Sequence, residues 1–322
     1  MRCDVHQPIW FKLLLSITYF CGIPLYFCAF YFLINRTSKE FSSFRNLLIM
    51  MIIGNLANDT YISFLWLPRF YLPWMAMCST GLAKNFPFGM LFLNMINLVY
   101  SANLIIEMFD QRMKAVLMGG ESKMTRFVTI DKYMVLIGSC SVLIVQCLCR
   151  TYMTSRELKE RINATRGPMP CEAFSDQCIF IIDWTNVYCV LLVALTMVFS
   201  TNAFALMVVC ATTAYKKLKR SKVLSERTRL MQKKLLNILV IQVTIHTILL
   251  LTPMESFYLA HFIDLVHPFW KDYVVYFNTT LLGMHGSMCT LTILITVLPC
   301  SKKNTAQVVS LATTQLTTKI GN

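Results

Sequence analysis

Residues 11–34 read FKLLLSITYFCGIPLYFCAFYFLI, and Lys12 is the only charge among them. A helix needs about 20 apolar residues to cross a hydrocarbon core of about 30 Å. Inside lipid, backbone N–H and C=O groups find partners only within helices or closed barrels, and an unbroken apolar run of this length specifies a helix. The run exceeds the apolar stretch of a secretory leader, about 7–15 residues, and no Ala-x-Ala-like cleavage site follows, so an uncleaved anchor is expected. Outward from it lie six more apolar blocks, at about 46–67, 88–108, 133–149, 179–214, 235–259 and 273–298, of which 133–149 is the shortest. They predict an all-α fold: an integral-membrane bundle of seven transmembrane helices, one domain covering 1–322.

The composition agrees. Hydrophobic residues make up 56% of the chain and charged residues 14%, against about 45–50% and about 25% in soluble domains. A soluble helical bundle would carry charges every few positions on its outer face, and these blocks do not. The net charge of +14 does not point to nucleic acid, because the basic residues sit in short segments between apolar blocks, as topology determinants do. With the N-terminus outside, 20 of the 30 Lys and Arg fall on the cytoplasmic side, nine of them in 216–234. N-terminus out and C-terminus in is therefore expected.

Of the 13 cysteines, Cys21, Cys28, Cys140, Cys147, Cys189, Cys210 and Cys289 lie in apolar blocks, where the thiol acts as a small hydrophobe. No Cys-x-x-Cys occurs, so neither a metal site nor a cofactor is expected. Cys3, Cys78, Cys171 and Cys178 fall in polar segments. Cys78 with Cys171 is the preferred disulfide, with Cys178 as the alternative partner, because these thiols share the oxidising side. Four Asn-x-Ser/Thr triplets begin at Asn35, Asn58, Asn163 and Asn278. Topology leaves Asn163 as the glycosylation candidate, in a polar outer loop punctuated by Gly167, Pro168 and Pro170.

Asp59 stands in the second span beside Asn55 and Asn58. An acid there is costly, so it should face the interior with a partner, as a polar switch point or as an interhelical bond that fixes packing. Asp110 and Arg112 end the third span. Arg112 suits the negative end of the helix dipole and Asp110 opposes it, which suggests an acid that holds a basic residue in one conformational state, unless both simply form a charged rim. The 216–234 segment has one acid, Glu226, and a basic helix is expected from there with Arg227, Arg229, Lys233 and Lys234. Such a helix suits an acidic partner or anionic lipid. Asn97, Tyr100, Gln242, His246 and His285 are mid-span polar groups, and Asp183, Trp184, Glu255 and His261 lie near outer ends. Of these, Asn97, Tyr100, Asp183, Gln242, His246, Glu255 and His285 are the ligand-contact candidates; each could instead serve packing. Pro253 should disturb span six, freeing the carbonyl of residue 249.

Several stretches resemble one family. Leu224-Ser225-Glu226-Arg227-Thr228-Arg229-Leu230-Met231-Gln232-Lys233-Lys234-Leu235, with Ile241-Gln242, is similar to the entry to span six in nematode serpentine chemoreceptors of class H, or the related class I. Leu67-Pro68-Arg69-Phe70-Tyr71-Leu72-Pro73, Pro87-Phe88-Gly89 and His285-Gly286 resemble its segments around spans two, three and seven. The chain departs from the family's Glu-Asn-Arg at Asp110-Gln111-Arg112 and from its Pro-Tyr-Arg at Pro299-Cys300-Ser301, and Pro253 stands further beyond Ile241-Gln242 than the family's proline. The resemblance implies a G-protein-coupled chemosensory receptor at the plasma membrane of sensory cilia. Its partners would be an extracellular small molecule or peptide, a heterotrimeric G protein and the lipid bilayer.

No Gly-x-Ser-x-Gly, His-Glu-x-x-His or phosphate loop occurs, so an enzyme is not expected. A transporter or channel is the rival. It would favour internal repeats with helices broken at matching positions, and the chain has an odd span count and no such pairing.

Overall fold

The structure, a computed structural model, describes residues 5–36, 42–72, 74–116, 123–180, 186–220, 226–253, 256 and 272–295. Helices α1 (Ile9–Arg36), α2 (Ser42–Thr60), α3 (Pro87–Val116), α4 (Lys123–Met153), α6 (Val187–Arg220) and α7 (Glu226–His246) carry six of the apolar blocks. These six, two of them with a π-helical extension, are long and apolar enough to cross a membrane. A further helix, α8, covers 272–295 and carries no Asp, Glu, Lys or Arg after Asp272. A short polar helix, α5 (Arg156–Arg166), stands between α4 and α6.

Two helices continue as π-helical turns, and proline explains both. Tyr61–Trp66 extends α2 and stops at Leu67, whose φ of 45° is left-handed; the residue before Pro68 is disfavoured in the right-handed helical region. Thr247–Leu251 extends α7, and Thr252 N–H bonds back to the Thr247 carbonyl. Pro253, two residues beyond Leu251, has no N–H for the carbonyl four residues before it, and the wider turn accommodates that loss.

The helices correct three sequence expectations. The helix of the fourth block starts at Lys123, ten residues before 133, because Lys132 and Asp131 find partners on α3 and α6. In the fifth block, Cys178–Phe180 is a β-strand, and the helix begins only at Val187. The outer loop is not wholly irregular: Ser155 caps α5 by accepting from Leu158 N–H at 3.2 Å, and Gly167, at φ +88°, ends it.

One end of the bundle is roofed by an antiparallel sheet, β1 (Pro68–Tyr71), β2 (Ala76–Ser79) and β3 (Cys178–Phe180), with β2 central. Phe70 pairs with Met77 and Met77 with Ile179. These three enter the core that includes Trp66, Met95 and Leu282. Tyr71, Ala76, Cys78, Cys178 and Phe180 lie in a second cluster with Leu158 and Ile162 of α5. The sheet therefore buries both faces, one on the bundle and one under α5. Gln7 Nε2 donates to the Leu67 and Pro68 carbonyls, which brings the chain before α1 onto the same roof.

Candidate functional site

At the sheet end, Cys78 and Cys178, directly opposite in register, form a disulfide. This corrects the preferred Cys78–Cys171 pairing: Cys171 is engaged in a disulfide of its own. Arg69 pairs with Glu172 at 3.6 Å, the Tyr71 hydroxyl donates to the same carboxylate, and Lys159 Nζ donates to the Phe174 and Ser175 carbonyls. Asn163 lies on α5, and its Oδ1 accepts from Met169 N–H at 2.8 Å, so its carboxamide also closes the turn after the helix.

Below the sheet, α3, α4, α6 and the π turn after α7 enclose a cavity of about 140 Å³. Met95, Leu98, Val142, Phe199 and Leu250 are among the apolar residues of its wall, and among the described residues His246 supplies the one imidazole. Of the ligand-contact candidates among the described residues, His246 alone lines it. Tyr100 instead donates to the Met50 carbonyl on α2 at 3.0 Å, and Asn97 is half-buried on α3 away from the lining. Gln242 is fully buried, one turn before His246, and its side-chain amide has no partner among the described residues. Asp183 and Glu255 lie outside the described residues, as do Trp184 and His261.

His285 sits beside His246, ring centroids 4.3 Å apart, with Cys289 next to both. Sequence pattern identified the two imidazoles separately but treated Cys289 as a small hydrophobe. The His285-x-x-x-Cys289 spacing, which puts both on one helix face, was the available signal.

Further toward the opposite end, Asp59 joins three helices. It accepts from Tyr26 Oη on α1 at 2.6 Å and from the backbone N–H of Gly286 and Ser287 on α8 at 3.1 and 2.9 Å. Gly286 permits this approach: a Cβ there would lie 2.5 Å from Asp59 Oδ1 and 2.6 Å from the Asn55 carbonyl. Asn55 is buried in the same contact.

At the basic end, Asp110 is fully buried and pairs with Lys114 at 2.7 Å and Lys132 at 3.2 Å; Lys132 also reaches Glu107 at 2.8 Å. The acid thus binds two lysines, on α3 and α4. Arg112 turns elsewhere: its guanidinium lies 3.7 Å from the centre of the Phe44 ring on α2 and donates to Gln232 Oε1 on α7 at 3.3 Å. Tyr215 of α6 donates to Asn237 of α7. Glu226–His246 is one continuous helix, with Arg229 and Lys233 exposed on its first turns and Lys234 half-buried; the Arg227 side chain lies outside the described residues.

The signature of the serpentine type 7TM GPCR chemoreceptor Srh family matches residues 6–300. The chain belongs to that family. No curated relative matches the chain significantly. Membership makes this Srh protein a multi-pass membrane receptor of the seven-transmembrane kind, and six of its described helices are long and apolar enough to cross a membrane. The family is one of receptors, not enzymes, whose partners are in general an extracellular ligand and a G protein.

Proposed function

We propose that this Srh receptor detects a small, mainly apolar organic molecule outside the cell and activates a heterotrimeric G protein by parting the inner ends of α3 and α7. The observation that carries the proposal is the Arg112–Gln232 bond, which closes those two ends across 120 residues of sequence. A ligand shifts such a receptor only through unequal affinity for its closed and open states. The cavity is lined by His246, on the same helix α7 that carries Gln232 nearer its other end. At about 140 Å³ it approaches the apolar cavity of about 150 Å³ that admits benzene. A small molecule fits this space better than a peptide.

The sheet end is assigned to the outside and the basic end to the cytoplasm. A disulfide at the sheet end suits an oxidising compartment, and the basic asymmetry suits the opposite side. Plasma membrane, and sensory cilia within it, follow from the family resemblance. Asp59 and Asn55 are assigned as the polar switch between α2 and α8, with Asp110 restraining the inner end of α3. Arg112, Arg227, Arg229, Lys233 and Lys234 are assigned to G-protein coupling.

Arg112→Ala tests the mechanism. It removes the guanidinium that an opened α3 would present to carbonyls of the G protein. G-protein activation is expected to disappear, with surface expression and agonist affinity retained. Full activation at wild-type surface level would exclude the proposed role.

A further inference from the structure

His246, His285 and Cys289 bring two imidazoles and a thiol together between α7 and α8, well away from any charged rim. One ring nitrogen of each histidine and the Cys289 Sγ all lie within 4.8 Å of one another. Cys289 Sγ is 3.3 Å from His246 Nδ1 and 3.7 Å from His285 Nε2. All three side chains are buried, and two of their nitrogens, His246 Nε2 and His285 Nδ1, have no partner among the described residues. Hydrogen bonding alone leaves this cluster under-satisfied: a thiol has one proton and donates it to one ring at a time. An apolar trio of the same shape would avoid that cost.

We propose that His246, His285 and Cys289 form a binding site for a copper(I) ion, which ties α7 to α8 beside the ligand cavity. Metal bonds of about 2.0–2.3 Å, at angles between tetrahedral and trigonal, hold a sulfur and a nitrogen ligand about 3.5–3.8 Å apart. His285 Nε2 and Cys289 Sγ already stand at such a separation. His246 Nδ1 lies 2.9 Å from the Gln242 carbonyl, one turn earlier on the same helix. An N–H donated to a backbone carbonyl fixes the tautomer of a metal-binding histidine and leaves its other nitrogen as the ligand. That other nitrogen, Nε2, is one of the two unpartnered atoms.

Charge and ligand number select the metal. Imidazole and thiolate suit copper(I) and zinc. Binding exchanges the thiol proton for the ion: the Cys289 S–H bond breaks, a thiolate–copper(I) bond forms, and the proton leaves to water. One thiolate and copper(I) sum to zero charge, so the ion adds none to a buried region that already holds the Asp59 carboxylate against Gly286 and Ser287. Structural zinc takes four ligands almost without exception, and the cluster offers three.

The test uses full-length receptor in detergent, with no ligand and no G protein, so its outcome is independent of the signalling proposal. Cys21, Cys28, Cys140 and Cys147, which are exposed, are first replaced by Ala to remove competing thiols. Copper(I) is supplied anaerobically as its acetonitrile complex, and binding is followed by competition with a chromogenic chelator. One ion per receptor is expected, with X-ray absorption showing two nitrogen ligands and one sulfur. Loss of an outer-shell partner alone weakens metal sites by about 10–100-fold. His285→Gln and Cys289→Ser are therefore expected to lose at least that much. Thermal denaturation of each variant without metal separates lost binding from lost fold, and copper(I) should raise the unfolding temperature of the parent but of neither variant. Unchanged affinity in a folded Cys289→Ser or His285→Gln receptor, an all-sulfur spectrum, or preference for zinc over copper(I) would each overturn the assignment.

Discussion

The two ends of the bundle are closed by different physics. At the sheet end, three strands bury both faces, and a disulfide ties β2 to β3 across 100 residues of sequence. At the basic end, α3 and α7 share an apolar cluster that includes Phe109, Met113, Leu236 and Leu239, a guanidinium hydrogen bond also links them, and α3 meets α4 through lysines shared among carboxylates. Apolar burial with a covalent tie resists separation as a unit. A bond exchangeable for water or a partner's carbonyl opens at small cost. The proposed function uses this asymmetry: a frame fixed at the sheet end and a basic end that can part.

Breaking the outer frame is expected to have the largest effect. Cys78→Ser removes the link between β2 and β3, and loss of a native disulfide costs about 2–5 kcal/mol. Surface staining should fall to near background, and detergent-solubilised receptor should lose ligand-independent thermal stability. Cys178→Ser should match it, and the double variant should be no worse than either, since each single change already abolishes the bond. A double variant much worse than the singles would mean that the thiols act separately.

Next comes the contact that lies between the two ends and joins α8 to α1 and α2. Gly286→Ala would place a methyl carbon within 2.5 Å of Asp59 Oδ1 and 2.7 Å of Tyr26 Oη, so α8 must withdraw from α1 and α2. Overpacking of this kind costs about 1–3 kcal/mol. The expected result is a lowered unfolding temperature with the receptor still reaching the surface. Unchanged stability would show that α8 does not pack this closely on Asp59.

The two ends also differed in how far sequence disclosed them. The helical membrane fold was legible because the length and apolarity of the blocks decide it, without reference to any neighbour. Arg112 stood out because a cation at a helix C-terminus has its own reason to be there. The roof did not. Pro68–Tyr71 and Ala76–Ser79 are four residues each, and because the sheet is covered on both faces they show no polar alternation to mark them as strands. The α5 signal was present in Ser155, capping a segment with Glu157 in its first turn, but Gly167 and two prolines nearby drew the reading toward loop. Gln232 carried no signal of its own: an uncharged side chain on a basic helix gains meaning only from Arg112 opposite.

That partner gives a sharper test of the inner end. Gln232→Ala removes the acceptor for Arg112 yet leaves the guanidinium available to a G protein. Basal G-protein activation should therefore rise, by roughly fivefold for a bond contributing about 1 kcal/mol to the closed state. Arg112→Ala loses the same bond and should instead silence the receptor. Opposite outcomes from one broken contact would separate its closing role from its coupling role. Silence from both variants at normal surface level would mean that Gln232 is needed for coupling and does not restrain it.

The smallest effect belongs to the exposed charge on α7. Lys233 is exposed and Lys234 half-buried, close to Gln232 on the same turn. A lysine ammonium is a compact, mobile charge without the fixed fork of an arginine, so its contribution to a docked G protein is mostly long-range attraction. Replacing both by Gln should slow G-protein activation by a few fold without changing basal activity, because neither lysine is the acceptor that holds Arg112. Salt distinguishes attraction from contact. The Debye length shortens from about 10 Å at 0.1 M to about 3 Å at 1 M. Raising ionic strength should thus slow the wild type toward the variant, and the gap between them should close. A gap that persists at high salt would mean that the lysines make direct, desolvated contacts. The inner end would then be held to its partner by the kind of fixed packing that otherwise characterises the sheet end.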